Sequence, residues 1–252
     1  MTVRVVKLGG NELDRPDWLA ACARGVARLD PVVVVHGGGR AVSALSRRLG
    51  LPVEKRDGLR VTTPEVAEVV EFVLGGPINR QVVAALRSAG LDAVGLCGVD
   101  GGLLTAERTA APLGLVGEIT AVRSALLESF LLAGLTPVIA PTAPSAAGGS
   151  PLNVNADDAA AAIAGALHAA ELLLVSDVPG VLVDGVCQAT LDAGDAAALI
   201  ELGGATDGMA AKLRAATAAL RAGTRAVRIG DVRLLDDAAA GTRILAPAAQ
   251  PA

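Results

Sequence analysis

The sequence has very few aromatic residues: of its 252 residues only Trp18, Phe72 and Phe130 are aromatic, and there is no tyrosine. Proteins that bind single-stranded nucleic acids usually stack bases on aromatic side chains. The formal net charge is −4 at pH 7, so the basic surface needed to contact phosphate backbones is also missing. These two features argue against a nucleic-acid partner.

Cysteine and histidine are equally scarce. Three cysteines (Cys22, Cys97 and Cys187) and two histidines (His36 and His168) are scattered along the chain without a CxxC pair. This pattern supports neither a zinc site nor a disulfide framework, and no metal ligands are predicted. No apolar run approaches the roughly 20 residues of a membrane helix, and the first residues are typical of a strand rather than a signal peptide. We therefore expect a cytoplasmic protein that does not bind a membrane.

Lysine is the rarest charged residue. The 22 basic residues include only three lysines, Lys7, Lys55 and Lys212. Lysine carries a compact charge on a flexible stem, whereas arginine presents a wide planar fork. Lys7 precedes Gly9-Gly10 and Lys212 follows Gly208. A lysine beside glycines therefore indicates a position that a guanidinium cannot fill. The alternative is that these lysines remain by chance, and this alternative applies most of all to Lys55.

Hydrophobic residues make up 52% of the chain, enough for a large core of Val, Leu, Ile and Ala. Short β-branched runs alternate with helical spacing, which predicts an α/β fold: a three-layer αβα sandwich with a mainly parallel central sheet. We expect one domain over 1–252, with an amino-terminal lobe (1–170), a carboxy-terminal lobe (171–246) and a flexible tail (247–252). The predicted strands are 3–6, 32–35, 93–97, 113–119, 137–140, 172–175 and 226–229; the predicted helices are 17–29, 40–49, 64 onward, 78–88, 124–133, 157–169 and 208–222.

Two glycine-rich turns follow predicted strands, Lys7-Leu8-Gly9-Gly10 and His36-Gly37-Gly38-Gly39. Glycines at the carboxyl end of a strand let backbone N–H groups approach a phosphate, and a following helix adds a favourable dipole. Each turn alone could be purely structural. Together, and with a rare lysine in one of them, they indicate anion binding.

Other phosphate and nucleophile motifs are missing from the sequence. GxxxxGK[ST] does not occur, and no GxGxxG follows the first strand, so neither a P-loop nor a dinucleotide fold is supported. The tetrapeptide HGGG also forms an oxyanion loop in some α/β-hydrolases. That fold needs a GxSxG nucleophile, which this chain lacks.

A polar cluster, Asn153-Val154-Asn155-Ala156-Asp157-Asp158, precedes an alanine-rich helix. Asn155 fits a simple N-cap. The crowding of amides and carboxylates at one helix start also suggests that a carboxylate there holds a lysine in place.

Taken in order, six motifs resemble the amino-acid kinase family, from the first strand to Leu245. The motifs are Lys7-Leu8-Gly9-Gly10, His36-Gly37-Gly38-Gly39, Gly58-Leu59-Arg60-Val61-Thr62, Asn153-Val154-Asn155-Ala156-Asp157, Ser176-Asp177-Val178-Pro179-Gly180 and Asp207-Gly208-Met209-Ala210-Ala211-Lys212. Each motif is weak alone, whereas the ordered set is specific.

The resemblance implies a role for each matched residue. Lys7 and Lys212 would be catalytic, stabilising a phosphoryl group in transfer, and Asp157 would orient them. The implied substrate-binding residues are Gly37, Gly38, Gly39, Arg60, Asn153 and Asn155. The implied ATP-binding residues are Lys7, Gly9, Gly10, Asp177, Val178, Pro179, Gly180, Val181, Leu182, Thr206, Asp207, Gly208, Met209 and Lys212.

The implied activity is phosphorylation of the side-chain carboxylate of N-acetyl-L-glutamate by ATP with Mg²⁺, in arginine biosynthesis. The amino-terminal lobe would bind the acyl amino acid and the carboxy-terminal lobe the nucleotide. We expect a homodimer joined through the helices between Pro64 and Ser88, although their apolar residues Val66, Val69, Val70, Val73, Val82 and Val83 fit a core equally well. Two alternatives stay open: a kinase for aminoadipate linked to a carrier protein in lysine biosynthesis, and a non-catalytic nucleotide or amino-acid sensor.

Overall fold

A computed structural model describes residues 2–56, 58–110 and 112–246. The predicted tail at 247–252 lies outside these residues. The main sheet has eight strands in the order β14-β16-β15-β11-β1-β2-β8-β5. Its strands are β1 (Arg4–Leu8), β2 (Val32–His36), β5 (Ala93–Cys97), β8 (Thr136–Ala140), β11 (Glu171–Val175), β14 (Thr190–Asp192), β15 (Val227–Gly230) and β16 (Thr242–Leu245). All neighbours pair in parallel except β15 and β16, so the predicted, mainly parallel sheet is confirmed.

Eight α-helices accompany this sheet in the described residues. They are α1 (Pro16–Val26), α2 (Gly39–Arg48), α3 (Pro64–Val73), α4 (Asn79–Ser88), α5 (Ser124–Leu132), α6 (Ala156–Ala166), α7 (Ala193–Glu201) and α8 (Asp207–Arg221). Successive side chains of a strand point to opposite faces, and the central strands are apolar on both. In β11, Leu172 and Leu174 pack with α6 and α8, while Leu173 and Val175 belong to the core on the opposite face, which also contains residues of α1 and α3. The result is the predicted three-layer sandwich.

Several short elements are not evident from the sequence pattern. A second sheet, in the order β6-β7-β10-β9, is built from β6 (Leu104–Arg108), β7 (Val116–Val122), β9 (Thr142–Ala143) and β10 (Leu152–Val154). Two hairpins pair β3 (Lys55–Arg56) with β4 (Leu59–Arg60), and β12 (Leu182–Val183) with β13 (Val186–Cys187). Of these strands, β7 overlaps the predicted strand 113–119, whereas the first hairpin and β9 lie in segments predicted to be loops. Helix α7 was not predicted either.

Helices α3 and α4 join into one bent helical segment from Pro64 to Ser88. A π-helical turn over Leu74–Ile78 connects them, with a non-helical Gly76 and with Pro77 at the bend. By length and composition this segment could cross a membrane, since its most apolar stretch of 18 residues has a mean hydropathy of 1.2. However, 44% of that stretch is buried within the fold. The valines at 66, 69, 70, 73 and 82 are all core residues. Packing within the fold therefore accounts for much of its apolar character.

The packing of the core predicts that two leucines differ in how much they stabilise the fold. Leu174 is fully buried in the central strand β11, whereas Leu202, just after α7, is 85% exposed. Replacing a buried leucine with alanine removes transfer free energy and leaves a cavity, so we expect Leu174→Ala to lower the free energy of unfolding by about 2–5 kcal/mol. The control Leu202→Ala is expected to change it by less than about 0.5 kcal/mol. Urea unfolding measures both values, and equal losses would contradict the assignment of the core.

Candidate active site

A cleft opens at the carboxyl ends of the central strands, where parallel α/β sheets usually bind ligands. It holds a cavity of about 200 Å³. Polar groups and glycines line one part, and the side chains of Val42, Val70, Leu74, Val116 and Val154 form an apolar wall. The cavity therefore suits a small molecule with both charged and apolar parts.

The strongest polar contact of the cleft joins three distant parts of the chain. Lys7, near the end of β1, places its Nζ 2.8 Å from Oδ1 of Asp157 in the first turn of α6. Lys212, on α8, places its Nζ 3.8 Å from the other carboxylate oxygen. Lys7 and Asp157 are each only 5% exposed. The prediction that a carboxylate at this helix start holds a lysine is confirmed, and Asp157 holds two.

The lysine ammonium groups are close enough to repel each other. Burial, and then the charge of Lys7, lowers the pKa of Lys212, while Asp157 and Asp177 act in the opposite direction. Lys212 also donates to the carbonyl oxygen of Gly208 at 3.3 Å. Two positive charges against one bridging carboxylate leave the cluster with an excess positive charge that favours an anion.

The two glycine turns pack backbone against backbone. The Gly37 N–H donates to the Leu8 carbonyl at 3.0 Å. A Cβ on Gly10 would lie 2.3 Å from the Gly38 nitrogen, and one on Gly37 would lie 2.9 Å from the Gly10 nitrogen. A side chain at these positions would force the turns apart, which explains why both are glycine-rich. Gly10, Gly37, Gly38 and Gly39 all line the cavity.

Arg60 is a further charged residue that lines the cavity. It is 8% exposed, and its Nη2 donates to the Gly39 carbonyl at 2.9 Å and to the Ser43 hydroxyl at 2.7 Å. Among the residues that the structure describes, the buried Nη1 has no partner. Burial, and then the nearby Arg47 charge, lowers the pKa of Arg60. A buried guanidinium nitrogen without an acceptor is well placed to bind a carboxylate.

The two predicted asparagines differ in what they do. Asn153 and Asn155 both line the cavity. Asn153 donates to the Thr62 hydroxyl at 3.1 Å. The Asn155 side chain accepts from the N–H groups of Asp157 and Asp158, so it is the N-cap of α6. Asn155 thereby fixes the helix start that carries Asp157.

The predicted nucleotide-binding segments lie outside the lining of this cavity. The loop 177–182 follows β11, and its Asp177 is near enough to Lys212 to influence its pKa. Within it, Gly180 packs tightly on Cys187 and Thr242, and Val181 is buried, so these two residues shape the loop. Gly9 approaches the Val175 carbonyl, to which its N–H donates. Thr206 to Met209 form the start of α8, where the side chain of Asp207 is not among those described.

Two residues near the site were not predicted. Lys55 is exposed but lines the cavity from the β3–β4 hairpin, so it is not a remote surface lysine. Ser176, at the end of β11 beside Gly9, is buried with an unpartnered hydroxyl. The position of Ser176 directly after a buried strand could have indicated that it lies at the site. No sequence pattern indicated the hairpin that brings Lys55 to the cavity.

The site can stabilise negative charge more readily than it can move protons. Lys7, Lys212 and the Gly38 N–H, which donates to no group among the described residues, offer donors to an anion. His36 is fully buried behind the glycine turn, and burial lowers its pKa to about 4. No group of three His, Cys, Asp or Glu side chains able to hold a metal occurs among the described residues. This inventory fits transfer of an anionic group by positioning and electrostatics.

Comparisons with known proteins agree with this geometry. A curated relative from Chloroflexus aurantiacus named acetylglutamate kinase is 48% identical over 248 residues, covering 96% of each chain. One of the same name from Geobacillus kaustophilus is 46% identical, covering 89% of this chain and 88% of its own. A crystal structure from Streptococcus mutans superposes with a TM-score of 0.86 at 30% identity, covering 96% of this chain and 98% of that one. The family model described as the amino acid kinase family matches residues 2–231, and the chain belongs to this family.

Proposed function

We propose that this protein is an acetylglutamate kinase, which transfers the γ-phosphoryl group of ATP to the side-chain carboxylate of N-acetyl-L-glutamate in arginine biosynthesis. The observation that carries the proposal is the ion-pair cluster of buried Lys7 and half-buried Lys212 on Asp157. Lys7 and Asp157 line the same cavity as Arg60, whose Nη1 has no partner among the described residues. The names of relatives that are 42–48% identical over most of the chain support the same substrate.

The acceptor needs no general base, because a side-chain carboxylate has a pKa of about 4.3 and is ionised at neutral pH. A carboxylate oxygen attacks the γ-phosphorus, the bond from that phosphorus to the β–γ bridging oxygen breaks, and ADP leaves. The products are ADP and N-acetyl-L-glutamyl 5-phosphate. The main obstacle is repulsion between two anions, which Lys7, Lys212 and the glycine N–H groups reduce.

Each end of the substrate has a matching group in the cavity. Arg60 binds the α-carboxylate through Nη1, and Asn153 binds the acetamido group, whose methyl packs on the apolar wall. Gly37, Gly38, Gly39 and Asn155 complete this pocket. We assign acyl amino-acid binding to the lobe 1–170 and nucleotide binding to the lobe 171–246, although β1 and β11 pair directly and the sheet runs through both lobes.

The nucleotide binds at the ends of β1 and β11 and at the start of α8. The residues proposed to bind it are Lys7, Gly9, Gly10, Asp177, Val178, Pro179, Gly180, Val181, Leu182, Thr206, Asp207, Gly208, Met209 and Lys212. The described residues form no acidic cluster for a resident metal, which fits a Mg²⁺ ion held largely by the ATP phosphates. When bound, Mg²⁺ neutralises charge on the phosphate oxygens. We further propose a cytoplasmic location, since the three cysteines are free thiols.

The proposed reaction is tested by measuring ADP release from ATP and Mg²⁺ with a panel of acceptors. N-acetyl-L-glutamate is expected to give the highest kcat/KM, with glutamate, carbamate and uridylate far below it. Carrier-linked aminoadipate is the critical alternative acceptor. If it is preferred, the assigned substrate is wrong; if no acceptor releases ADP while nucleotide still binds, the sensor alternative replaces the enzyme.

Conservative changes of Lys7 and Lys212 test the catalytic assignment. Lys7→Arg and Lys212→Arg keep the charge but introduce a planar fork beside the glycine turns. Loss of one preorganised contact to developing charge typically costs about 10²–10³ in kcat, and we expect losses in that range with unchanged melting temperatures. The matched control is the reverse exchange Arg221→Lys at the exposed end of α8, which is expected to stay within about twofold. Steady-state kinetics that show equal, mild effects at all three positions would contradict the assignment.

We propose a homodimer whose interface centres on the exposed face of the segment Pro64–Ser88. Its valines mostly belong to the core, but Phe72 is 66% exposed. The exposed face is acidic along α3 (Glu65, Glu68 and Glu71) and basic at Arg80 of α4, whereas Arg87 already pairs with Asp92 of its own chain. A two-fold axis that crosses these segments would pair the acidic part of one copy with the basic part of the other.

The dimer is tested by light scattering on Phe72→Glu, which introduces a charge at the centre of the proposed contact. We expect the unmodified protein at twice the chain mass, 50 kDa from two chains of 25.0 kDa, and the variant shifted to the monomer. Leu202→Glu, at another highly exposed apolar residue, is the control and is expected to stay dimeric. A monomeric parent protein, or a dimer that persists in Phe72→Glu, would reject this interface.

A further inference from the structure

His36 lies directly behind the glycine turn that lines the cavity. It ends β2, is fully buried, and does not line the cavity itself. Its Nδ1 is 2.8 Å from the Gly37 carbonyl oxygen, and its Nε2 is 3.1 Å from the side-chain amide nitrogen of Asn79. Both ring nitrogens therefore have a partner of defined chemistry.

The partners determine which ring nitrogen carries the proton. A carbonyl oxygen only accepts, so Nδ1 must donate to Gly37. The amide nitrogen of Asn79 only donates, so Nε2 must accept. The Asn79 amide is itself oriented, because the same nitrogen donates to the Val138 carbonyl at 2.9 Å. The neutral Nδ1–H tautomer is thus the form that satisfies every contact.

A protonated ring would place two donors, Nε2–H and the Asn79 amide, against each other. Burial opposes the same charge and lowers the pKa of His36 to about 4. Asn79 keeps its nitrogen toward the ring, because a turned amide would set its oxygen against the carbonyl oxygens of Val138 and Leu96. The imidazole is therefore held neutral, in one tautomer and in one orientation.

The bond from His36 acts on a peptide group of the cavity. The Gly37 carbonyl and the Gly38 N–H belong to the same planar peptide, so fixing one fixes the direction of the other. Across the described residues, the Gly38 N–H donates to no protein group. It lies beside Gly10, in the part of the cavity that also contains Lys7.

We infer that His36 is a positioning residue, which holds the Gly37–Gly38 peptide through its Nδ1–H so that the Gly38 N–H faces the phosphoryl group in transfer. The kinetic part of this inference rests on the proposed function. The tautomer of His36 does not depend on it. His36 acts through the peptide and exchanges no proton with substrate.

The first test is nitrogen-15 NMR of the two imidazoles in the unmodified protein at neutral pH. The chain has only two histidines, so His168→Asn assigns both sets of signals. The inference predicts a protonated Nδ1 and an unprotonated Nε2 for His36. A protonated Nε2, or an imidazolium, overturns it, whether or not the protein proves to be a kinase.

The second test compares His36→Leu with His36→Asn, whose amide nitrogen can replace the Nδ1 donor. Misplacement of a group by about 1 Å can cost on the order of 10²-fold. We expect a kcat loss of that order for His36→Leu with little change in the KM for ATP, and recovery of most of the loss in His36→Asn. The same two changes at the exposed His168 are controls and are expected to leave kcat unchanged.

Melting curves separate positioning from unfolding. If both His36 variants fold and are equally impaired, or if His36→Leu is as active as the parent, the inference is wrong. If His36→Leu does not fold, two other results test the inference: the tautomer seen by NMR, and whether His36→Asn keeps most of the kcat of the unmodified protein. An unmodified protein that releases no ADP with N-acetyl-L-glutamate would instead reject the proposed function and leave the NMR result to stand alone.

Discussion

The contact of Asp157 with Lys7 and Lys212 connects β1, α6 and α8, and the geometry of the whole site depends on it. Burying an ammonium group is costly unless a counter-charge and hydrogen bonds replace its water. One carboxylate shared by two ammonium groups satisfies this need only in part. The remaining positive charge of this cluster favours an anion in the cleft.

The glycine turns determine how close the ligand can come to this charge. Gly10, Gly37 and Gly38 pack without side chains between them, and Gly38 also meets Leu74 of the π-helical turn, whose side chain lies 2.5 Å from where a Cβ would be. The bend at Leu74–Ile78 thus serves two purposes. It closes the core on one side, and on the other it carries Asn79 to the ring of His36. The floor of the cavity is supported by core packing rather than by flexible loop residues, which suits a site that works by preorganisation.

Periodic sequence patterns allowed most of the fold to be predicted, whereas contacts between single residues of distant segments leave no such pattern. The β-branched runs 32–35 and 172–175 predict buried strands because two apolar faces leave a continuous signal. Thr142–Ala143 forms a strand of two residues, too short to show any period. The Gly75-Gly76-Pro77 sequence predicts a break, yet the helix bends and continues because Leu74 and Ile78 are anchored in the core. For α7 a signal existed, since Asp192 is an N-cap followed by Asp195 in the first turn. Within the site, the ordered motifs indicated Lys7, Asp157 and Lys212, but the partners of His36 come from strands and helices whose approach no local pattern encodes.

The chemistry of an ammonium group explains why lysine persists at two positions in a chain that otherwise uses arginine. Lysine has three N–H donors around a single charged atom. The Lys212 ammonium lies 3.8 Å from Asp157 and donates to the Gly208 carbonyl at 3.3 Å. A guanidinium spreads its donors over a plane and cannot direct them from one point toward several partners in different directions. At position 7, where the cavity is also lined by Gly10 and Gly38, that plane would need more space than the Lys7 ammonium. A narrow cleft requires a compact charge, and two of the three lysines of this chain supply it.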